Sequence, residues 1–296
     1  MTNAFSDLDR SGFLLIDKPQ GLTSAAVVAM VKKRYHIKTG HTGTLDPLAT
    51  GMLVLCLGQA SKFSQYNLNA DKRYRVAIEL GYETDTCDTT GKVLQYGPTN
   101  KLDTATISSL LHGAFFGKIT QVPPIYSALK YHGKPYYYYA RKGMDIPIKK
   151  RQVSIYQYQN ITYDSGVIQF VVDCSSGTYI RSLARDIGRL TDNYATMSQL
   201  QRIHVAPWRT EKTLQLDSLP DKSELHAYLQ PIDSVLHEYP SLPIQLEQLS
   251  MLQNGVRITT KCTGTTSGIH KIYLGNDFYG LVRIEHGFIQ PVKVLR

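Results

Sequence analysis

The most apolar stretch of the chain, Gly51 to Gly58 (GMLVLCLG), is short and has a glycine at each end. A helix that crosses a bilayer needs roughly 20 apolar residues, so this stretch predicts a buried β-strand and no membrane span. The chain has 296 residues, of which 42% are hydrophobic. It is therefore long and apolar enough to build one large domain, or a large and a small one, around a core.

The cysteines and the first residues indicate the cellular compartment. Cys56, Cys87, Cys174 and Cys262 are scattered without a C-x-x-C pair, which predicts reduced thiols and no structural zinc. The opening segment MTNAFSDLDRSG is polar and acidic and does not resemble a secretory signal. We therefore expect a cytoplasmic protein.

Hydrophobic periodicity predicts both strands and helices. The run Phe13 to Ile16 is a short apolar strand, and Thr23 or Ser24 can cap a helix with the sequence AAVVAMVKKRY. From Lys72 to Leu80 apolar and polar residues alternate, as in a strand with one buried face. Tyr74 lies on the apolar face, so we expect it to point inward at the start of this strand.

A second helix is predicted from Thr178 to Leu190. Its core face would carry Ile180, Leu183, Ala184, Ile187 and Leu190. Arg181, Arg185 and Arg189 recur every four residues on the other side. Such a stripe is more typical of a solvated helix face than of a functional site.

Positive charge is concentrated in two distant segments. The net charge is +9, and residues 101–150 hold eight basic and two acidic side chains, while residues 251–296 hold six and two. The segment Gly117 to Arg151 combines eight basic residues with six tyrosines. Cations that neutralise phosphate and rings that stack on unpaired bases favour RNA binding. The alternative is that Tyr136 to Tyr139 pack a helix onto the body and the lysines are merely solvated.

The segment Gly40 to Thr50 contains too much Gly, Thr and Pro for a helix or strand, which predicts a loop that leads into the apolar strand. Asp46 is its single carboxylate. Loops held on a rigid scaffold often carry reactive groups, but an aspartate in such a loop can equally form an Asx-turn. The residues alone leave both interpretations open.

Familiar motifs of other enzyme classes are absent from the sequence. It contains no P-loop, no G-x-G-x-x-G, no G-x-S-x-G and no H-E-x-x-H pattern. Asp85 and Asp88 in TDTCDTTG lack the remaining ligands of a calcium loop. We therefore expect them to form a turn.

A domain boundary is predicted near residue 238. Around Tyr239 the sequence becomes rich in Pro, Ser and Leu, and from Gly255 it consists of short β-like runs separated by glycine. This composition is typical of a small β domain of fewer than 60 residues.

Five ordered motifs resemble the bacterial tRNA pseudouridine-55 synthase family. The longest, GHTGTLDPLATGMLVLCLGQASKFSQY, surrounds Asp46. The others are LLIDKPQGLTS, DKRYRVAIELGYETDTCDTTG, VPPIYSALKYHGKPYYYYARKG and CSSGTYIRSLARDIG. They match in order and spacing over nearly the whole first 210 residues.

The resemblance implies an α+β pseudouridine-synthase fold. It has a central mixed, largely antiparallel sheet flanked by helices and a small C-terminal PUA-like β-barrel. The catalytic domain would span residues 1–238 and the RNA-binding barrel residues 239–296. An insertion at about 120–151 would clamp RNA and adopt several conformations without it.

The implied reaction is isomerisation of a uridine at position 55 in the T-loop of tRNA, without a metal or organic cofactor. Asp46 matches the family's nucleophile. Tyr74 matches the tyrosine that stacks on the base and is placed to take the proton from carbon 5. Arg181 matches the arginine that pairs with the aspartate and keeps it ionised.

Further residues match positions that bind substrate. His41 corresponds to the histidine that helps extrude the nucleotide, and Tyr179 and Leu200 correspond to residues that contact the base. Supporting or RNA-binding positions are Lys18, Lys62, Lys130 and Arg141. The expected partner is the T-stem-loop of tRNA, bound by a monomer that needs no membrane.

Two alternatives accompany this interpretation. The large basic insertion and the additional C-terminal domain would also suit a tRNA-folding chaperone whose catalysis is secondary. A guide-RNA-dependent pseudouridine synthase would share the catalytic core. The sequence does not choose among attack on ribose carbon 1, attack on carbon 6 of the base, and proton abstraction at ribose carbon 2.

Overall fold

The computed structural model describes residues 10–98, 102–209, 213–259 and 266–296. Its strands are β1 (Gly12–Lys18), β2 (Thr39–His41), β3 (Thr50–Leu57), β4 (Lys72–Leu80), β5 (Tyr82–Thr84), β6 (Val93–Tyr96), β7 (Gly117–Gln121), β8 (Lys130–Tyr131), β9 (Lys134–Pro135), β10 (Arg151–Asp164), β11 (Val167–Cys174), β12 (Ala195–Val205), β13 (Trp208–Arg209), β14 (Leu214–Gln215), β15 (Ser241–Pro243), β16 (Ile258–Thr259), β17 (Gly268–Leu274), β18 (Asp277–Glu285) and β19 (Phe288–Val294). Its α-helices are α1 (Ser24–Tyr35), α2 (Ser64–Leu68), α3 (Thr104–Ala114), α4 (Tyr136–Arg141), α5 (Ile180–Leu190) and α6 (Leu246–Gln253). Short 3-10 helices span Gly58–Phe63, Leu216–Ser218, Leu225–Tyr228 and Ile232–Val235.

The large sheet has the strand order β14-β1-β3-β12-β4-β11-β10-β7, with β2 beside β3 and β13 beside β12. Among the described strands of this sheet, only the pairs β1–β14 and β3–β12 are parallel. The other pairings of this sheet are antiparallel. The predicted mixed, largely antiparallel sheet is thus confirmed.

Apolar side chains cover both faces of the strands at one end of this sheet. In β1, Leu14 and Ile16 pack in one cluster with helices α1, α3 and α5. The alternate residues Phe13 and Leu15 pack in a second cluster on the opposite face. Because β3 is likewise buried on both faces, its sequence is almost continuously apolar. This explains why the most hydrophobic run of the chain is a strand.

The local predictions for the first helix and for β4 are confirmed. The Thr23 hydroxyl caps α1 by accepting a hydrogen bond from Ala26 N at 3.0 Å. Tyr74 points into the protein and is 9% exposed. The predicted loop at 40–50 is partly wrong, since Gly40 and His41 belong to β2, which pairs with Cys56 and Leu55 of β3. Pairing with a buried neighbour outweighs the weak strand preference of these residues.

The expected solvated face of α5 is wrong for two of its three arginines, while the Arg189 side chain is 55% exposed. Arg181 and Arg185 are buried, with exposures of 5% and 9%. Arg185 lies under the chain that follows β7, where its Nη2 donates to Val122 O at 3.1 Å. Arg189 pairs with Glu83 at 2.6 Å. Leu190 was expected in the core but is 55% exposed, so the core face of α5 ends at Ile187.

The C-terminal strands form a second sheet, ordered β15-β17-β18-β19-β16, which curls into a half-barrel. Helix α6, which the sequence did not predict, packs into its core through Leu249 and Leu252. Leu281 and Leu295 of this unit join the second cluster of the large sheet. The boundary near residue 238 stays a prediction, since the two sheets share that cluster.

Two further observations concern the thiols and the lengths of the helices. Cys56, Cys87 and Cys174 are buried free thiols, while Cys262 lies outside the described residues. In the part of the chain that the structure describes, no helix is both long and apolar enough to cross a membrane.

Candidate active site

The loop between β2 and β3 is fixed from below by the first residues of α1. The Ser24 hydroxyl accepts a hydrogen bond from Leu45 N at 2.8 Å and donates one to Leu45 O at 3.0 Å. On the other side of Asp46, Gly21 N donates to Pro47 O at 2.8 Å. These bonds hold the residues on both sides of Asp46, so its carboxylate has a defined position.

Asp46 and Arg181 form the central ion pair of the site. Arg181 Nη2 donates to Asp46 Oδ1 at 3.1 Å, and its Nε lies 2.9 Å from Oδ2. The Arg181 side chain is 5% exposed, whereas the Asp46 side chain is 31% exposed. The guanidinium is therefore fixed inside the protein, while the carboxylate remains open to a ligand.

Arg181 is itself held by the surrounding chain. Its Nη1 donates to Thr86 O at 3.0 Å and its Nη2 to Tyr126 O at 2.9 Å. Asp88 Oδ2 lies 3.7 Å from Nε. Asp88 also closes a turn by accepting hydrogen bonds from Thr90 N at 3.0 Å and from the hydroxyl of Thr86 at 2.8 Å. The predicted turn is present, and one of its aspartates also faces the site arginine.

A cavity of about 370 Å³ opens above this ion pair. Five of the residues implied by the motifs line it together, namely Asp46, Tyr74, Tyr179, Arg181 and Leu200. Burial raises the pKa of the phenols of Tyr74 and Tyr179. Gln121 fixes the Tyr179 backbone, accepting from its N at 3.0 Å and donating to its O at 3.2 Å. The cavity is large enough for a single nucleoside.

The other predicted residues lie outside the cavity lining. Lys18 is fully buried, and its Nζ donates to Pro19 O and Leu22 O, both at 2.8 Å. Burial lowers the pKa of Lys18 to about 8. Its Nζ also donates to Pro47 O of the Asp46 loop at 3.4 Å, so Lys18 supports this loop, and its complete burial keeps it out of reach of a phosphate. His41 accepts from Gly43 N at 3.4 Å, and burial lowers its pKa.

Three predicted RNA-binding residues lie on the surface. Lys62 contacts the C-terminal sheet, where its Nζ donates to Val294 O at 3.3 Å. Lys130 in β8 and Arg141 in α4 are exposed, and Arg141 stacks over the ring of Tyr137 at 5.4 Å. Tyr136 and Tyr139 of α4 are buried. The packing alternative is thus met for Tyr136 and Tyr139. Tyr137 stays exposed beside Arg141, and RNA binding by this segment stays a prediction.

Sequence reasoning missed the buried arginine on β12. Arg202 is 2% exposed, and its Nε donates to Met52 O at 2.7 Å while Nη2 donates to Gly43 O at 3.0 Å. Its backbone pairs with Gly51, where φ is +94° and a Cβ would lie 2.3 Å from Arg202 O. The only sequence signal was the two-residue spacing from Leu200, which places both side chains on one face of a strand. Lys72 and Arg151, which also line the cavity, were missed as well.

A mixed sheet that presents an arginine-paired aspartate below a nucleoside-sized cavity, within the motif already noted, is the arrangement of a pseudouridylate synthase. The chain belongs to the TruB family of these enzymes. The family model described as "TruB family pseudouridylate synthase (N terminal domain)" matches residues 30–180. The model described as "tRNA pseudouridylate synthase B C-terminal domain" matches residues 181–237.

The sequences of similar proteins match this chain over almost its full length. A tRNA pseudouridine synthase B of Mannheimia succiniciproducens is 42% identical over 296 residues, covering 97% of this chain and 96% of that protein. One of Aeromonas salmonicida is 38% identical over 308 residues, covering 99% and 96%. A solved structure described as an H/ACA RNP bound to a substrate RNA containing 2'-deoxyuridine has a TM-score of 0.72 and 22% identity, covering 98% of this chain and 86% of that one. This last likeness shows a shared fold.

Proposed function

We propose that the protein isomerises uridine to pseudouridine at position 55 in the T-loop of tRNA. The observation that carries this proposal is the Asp46 carboxylate, which is open to the cavity but fixed from behind by Arg181 at 2.9 Å. The relatives named tRNA pseudouridine synthase B support tRNA as the substrate. The excess of 33 basic over 24 acidic residues supports a polyanionic partner.

The reaction breaks the bond between ribose carbon 1 and base nitrogen 1 and forms one between ribose carbon 1 and base carbon 5. The proton on carbon 5 leaves, and nitrogen 1 gains one. Asp46 would attack the ribose or the base, or remove a ribose proton. Burial raises the pKa of Tyr74, so this residue begins the reaction as a neutral phenol. In that form it can stack on the base. Its part in removing the carbon 5 proton stays a prediction.

The test is tritium release from a T-stem-loop transcript labelled at carbon 5 of uridine. We expect the wild-type protein to release tritium and Asp46→Asn to release none. Asp173→Asn is a matched control, since Asp173 also pairs with an arginine, Arg73, at 2.5 Å but does not line the cavity. Turnover by Asp46→Asn would exclude Asp46 as the nucleophile or base.

The same assay, together with a measurement of tRNA folding, separates the alternative functions. We propose a stand-alone cytoplasmic enzyme that acts as a monomer, and it should therefore modify the isolated stem-loop without a guide RNA. A guide-dependent enzyme would be inert on this substrate. A chaperone would retain its effect on tRNA folding in the Asp46→Asn variant, which can be measured by native gel mobility of a misfolded transcript. Light scattering after size exclusion would test the monomer.

A further inference from the structure

The cavity lining has more cationic side chains than carboxylates to neutralise them. It contains four cationic side chains, Lys72, Arg151, Arg181 and Arg202, and one carboxylate, Asp46. Arg181 already pairs with Asp46. Among the described residues, no ion pair joins a carboxylate to any of the other three cations. Since a desolvated cation without an anion is costly, this lining is suited to receive an anion.

Two of the three unpaired cations remain available to a ligand. Arg202 is committed to the Asp46 loop through carbonyls of Met52 and Gly43. Lys72 is 7% exposed, and its Nζ donates to Leu68 O at 2.8 Å and to Ala70 O. Because an ammonium has three N–H groups, one remains for a ligand in the cavity that Lys72 lines.

Arg151 is the least committed of these cations. Its buried Nε has no hydrogen-bond partner among the described residues. Its guanidinium lies 5.9 Å from the ring centroid of Tyr179, a residue expected to contact the base. An arginine fork next to a base-binding ring is well suited to a phosphate oxygen.

A short loop links the two available cations. In the pairing of β4 with β11, Lys72 lies opposite Cys174. Ser175 follows directly, and its N donates to Ser154 O at 2.8 Å. At Gly177, where φ is +77°, a Cβ would lie 2.2 Å from Arg151 Nη2. A larger residue here would have to displace the guanidinium, so glycine lets Arg151 pack directly on the loop 175–178, and the two form one surface.

We infer that a phosphodiester flanking the flipped uridine binds between Lys72 and Arg151 on the loop 175–178. This inference rests on the proposed function, because it takes the ligand to be RNA. A phosphate held here anchors the nucleotide backbone while the base occupies the cavity. The contact thereby offsets part of the cost of extruding the base from its stack.

The test is a binding cycle, in which one side chain of the protein and one phosphate of the RNA are neutralised separately and together and Kd is compared. T-stem-loop RNAs carry a neutral methylphosphonate at the linkage on the 5′ or the 3′ side of the target uridine. Kd is measured for the full-length wild-type protein and for Arg151→Gln. Lys72→Gln provides a second, independent variant, and thermal melting verifies that each variant is folded. Arg34→Gln is the matched control, since Arg34 also binds carbonyls, those of Leu219 and Pro220, but lies on α1.

We expect Arg151→Gln to weaken binding of native RNA roughly 10-fold, as for the loss of one charged hydrogen bond. The slope of log Kd against log salt should fall by about 0.7, the value for one phosphate contact to a single strand. At one of the two linkages, the methylphosphonate should weaken wild-type binding but cause no further loss in Arg151→Gln. If the losses of affinity caused by Arg151→Gln and by the methylphosphonate multiply at both linkages, the inference is overturned. A loss of affinity in Arg34→Gln as large as that in Arg151→Gln would overturn it as well.

The binding cycle is separate from catalysis. If the wild-type protein binds the native RNA but forms no pseudouridine, the proposed function fails, while the cycle still decides whether the phosphate contact exists. If the wild-type protein does not bind the stem-loop, both the function and the subsite are excluded.

Discussion

At the scale of single residues, Arg202 connects the two sides of the active site. It lies on β12 between β3 and β4, where its backbone pairs with Gly51 on one side and Tyr74 on the other. Its side chain donates to Gly43 O at 3.0 Å and to Met52 O at 2.7 Å. The loop that carries Asp46 is thus attached to the strand that carries Leu200, which lines the cavity. This places Arg202 in a positioning role.

We predict that Arg202→Lys lowers the single-turnover rate roughly 10- to 100-fold. A lysine has one ammonium, which cannot reach the carbonyls of both Met52 and Gly43. At least one charged hydrogen bond, worth about 1.5–3 kcal/mol, is therefore lost. The Kd for the stem-loop should change less than about threefold, since the binding surfaces remain. Rapid-quench measurement at saturating protein gives the rate. Arg34→Lys, another carbonyl-bound arginine, should react like wild type, and an unaltered rate in Arg202→Lys would contradict the positioning role.

The pH dependence of RNA binding provides a test of Lys72. Burial lowers the pKa of this ammonium to about 8, with Arg202 acting in the same direction and Cys174 and Asp71 opposing it. An anion binds the charged form, so affinity should be full below pH 8 and fall as the pH rises above it. Since the pKa of Cys174 is raised to about 12, its thiol does not titrate in this range.

Fluorescence anisotropy between pH 7 and 9.5 measures this effect. The decrease in affinity should be smaller in Lys72→Arg, because a guanidinium stays charged over this range. Equal pH profiles for the two proteins would show that Lys72 does not hold the anion.

At the scale of elements, the sequence predicts what depends on local chemistry. The cap at Thr23, the apolar run of β3 and the alternation of β4 are local patterns, and each predicted element is present. The burial of Arg185 was not predictable, because it depends on Val122, which is 63 residues away in the chain. Arg151 and Gly177 likewise meet only after β10 and β11 have paired. The candidate nucleophile followed from a motif, whereas its cationic surroundings follow from tertiary pairing.

The insertion presents cations beside the half-buried ring of Tyr138. Lys134 Nζ lies 4.5 Å and Lys142 Nζ 4.7 Å from the ring centroid of Tyr138. Such a surface can neutralise phosphates and stack on bases without touching the reacting atoms. The element should therefore contribute to affinity and not to the chemical step.

We predict that the double variant Lys130→Gln and Arg141→Gln raises KM roughly 10-fold or more and leaves kcat within about twofold. The salt slope of binding should decrease by about 0.7 for each phosphate contact removed. Steady-state tritium release gives KM and kcat, and fluorescence anisotropy at several salt concentrations gives the salt slope of Kd. The control replaces Lys32 and Lys33, which are exposed on α1, by glutamine. A drop in kcat alone would argue that the insertion shapes the cavity instead.

At the scale of the whole molecule, the two sheets are joined by a common core. Phe63 and Trp208 of the large-sheet part pack in one cluster with Leu281 of β18 and with Leu295, which follows β19. Phe63 also meets Phe278 edge to face, with ring centroids 5.6 Å apart. An apolar junction of this kind couples the stability of the two parts, so they should unfold together.

We predict that Leu281→Ala lowers the free energy of unfolding by about 2–5 kcal/mol, the usual cost of truncating a buried leucine. The whole protein should melt in a single transition at a lower temperature, with loss of activity at the same temperature. Calorimetry together with residual tritium release measures both. Val292→Ala is the control, since Val292 is 41% exposed on the same sheet. Two separate transitions would show that the parts are independent.

The buried ammonium beneath the Asp46 loop gives this protein an internal reporter. Lys18 has a pKa of about 8. At neutral pH the fraction of Lys18 in the reactive free-amine form is therefore larger than that of a surface lysine. Yet it is fully shielded from solvent in the folded protein. An acylating reagent can therefore modify Lys18 only while the loop is lifted away. The rate of that labelling, followed by mass spectrometry, measures how often the Asp46 loop opens. The decrease of this rate when RNA is bound would measure how strongly the substrate stabilises the closed loop.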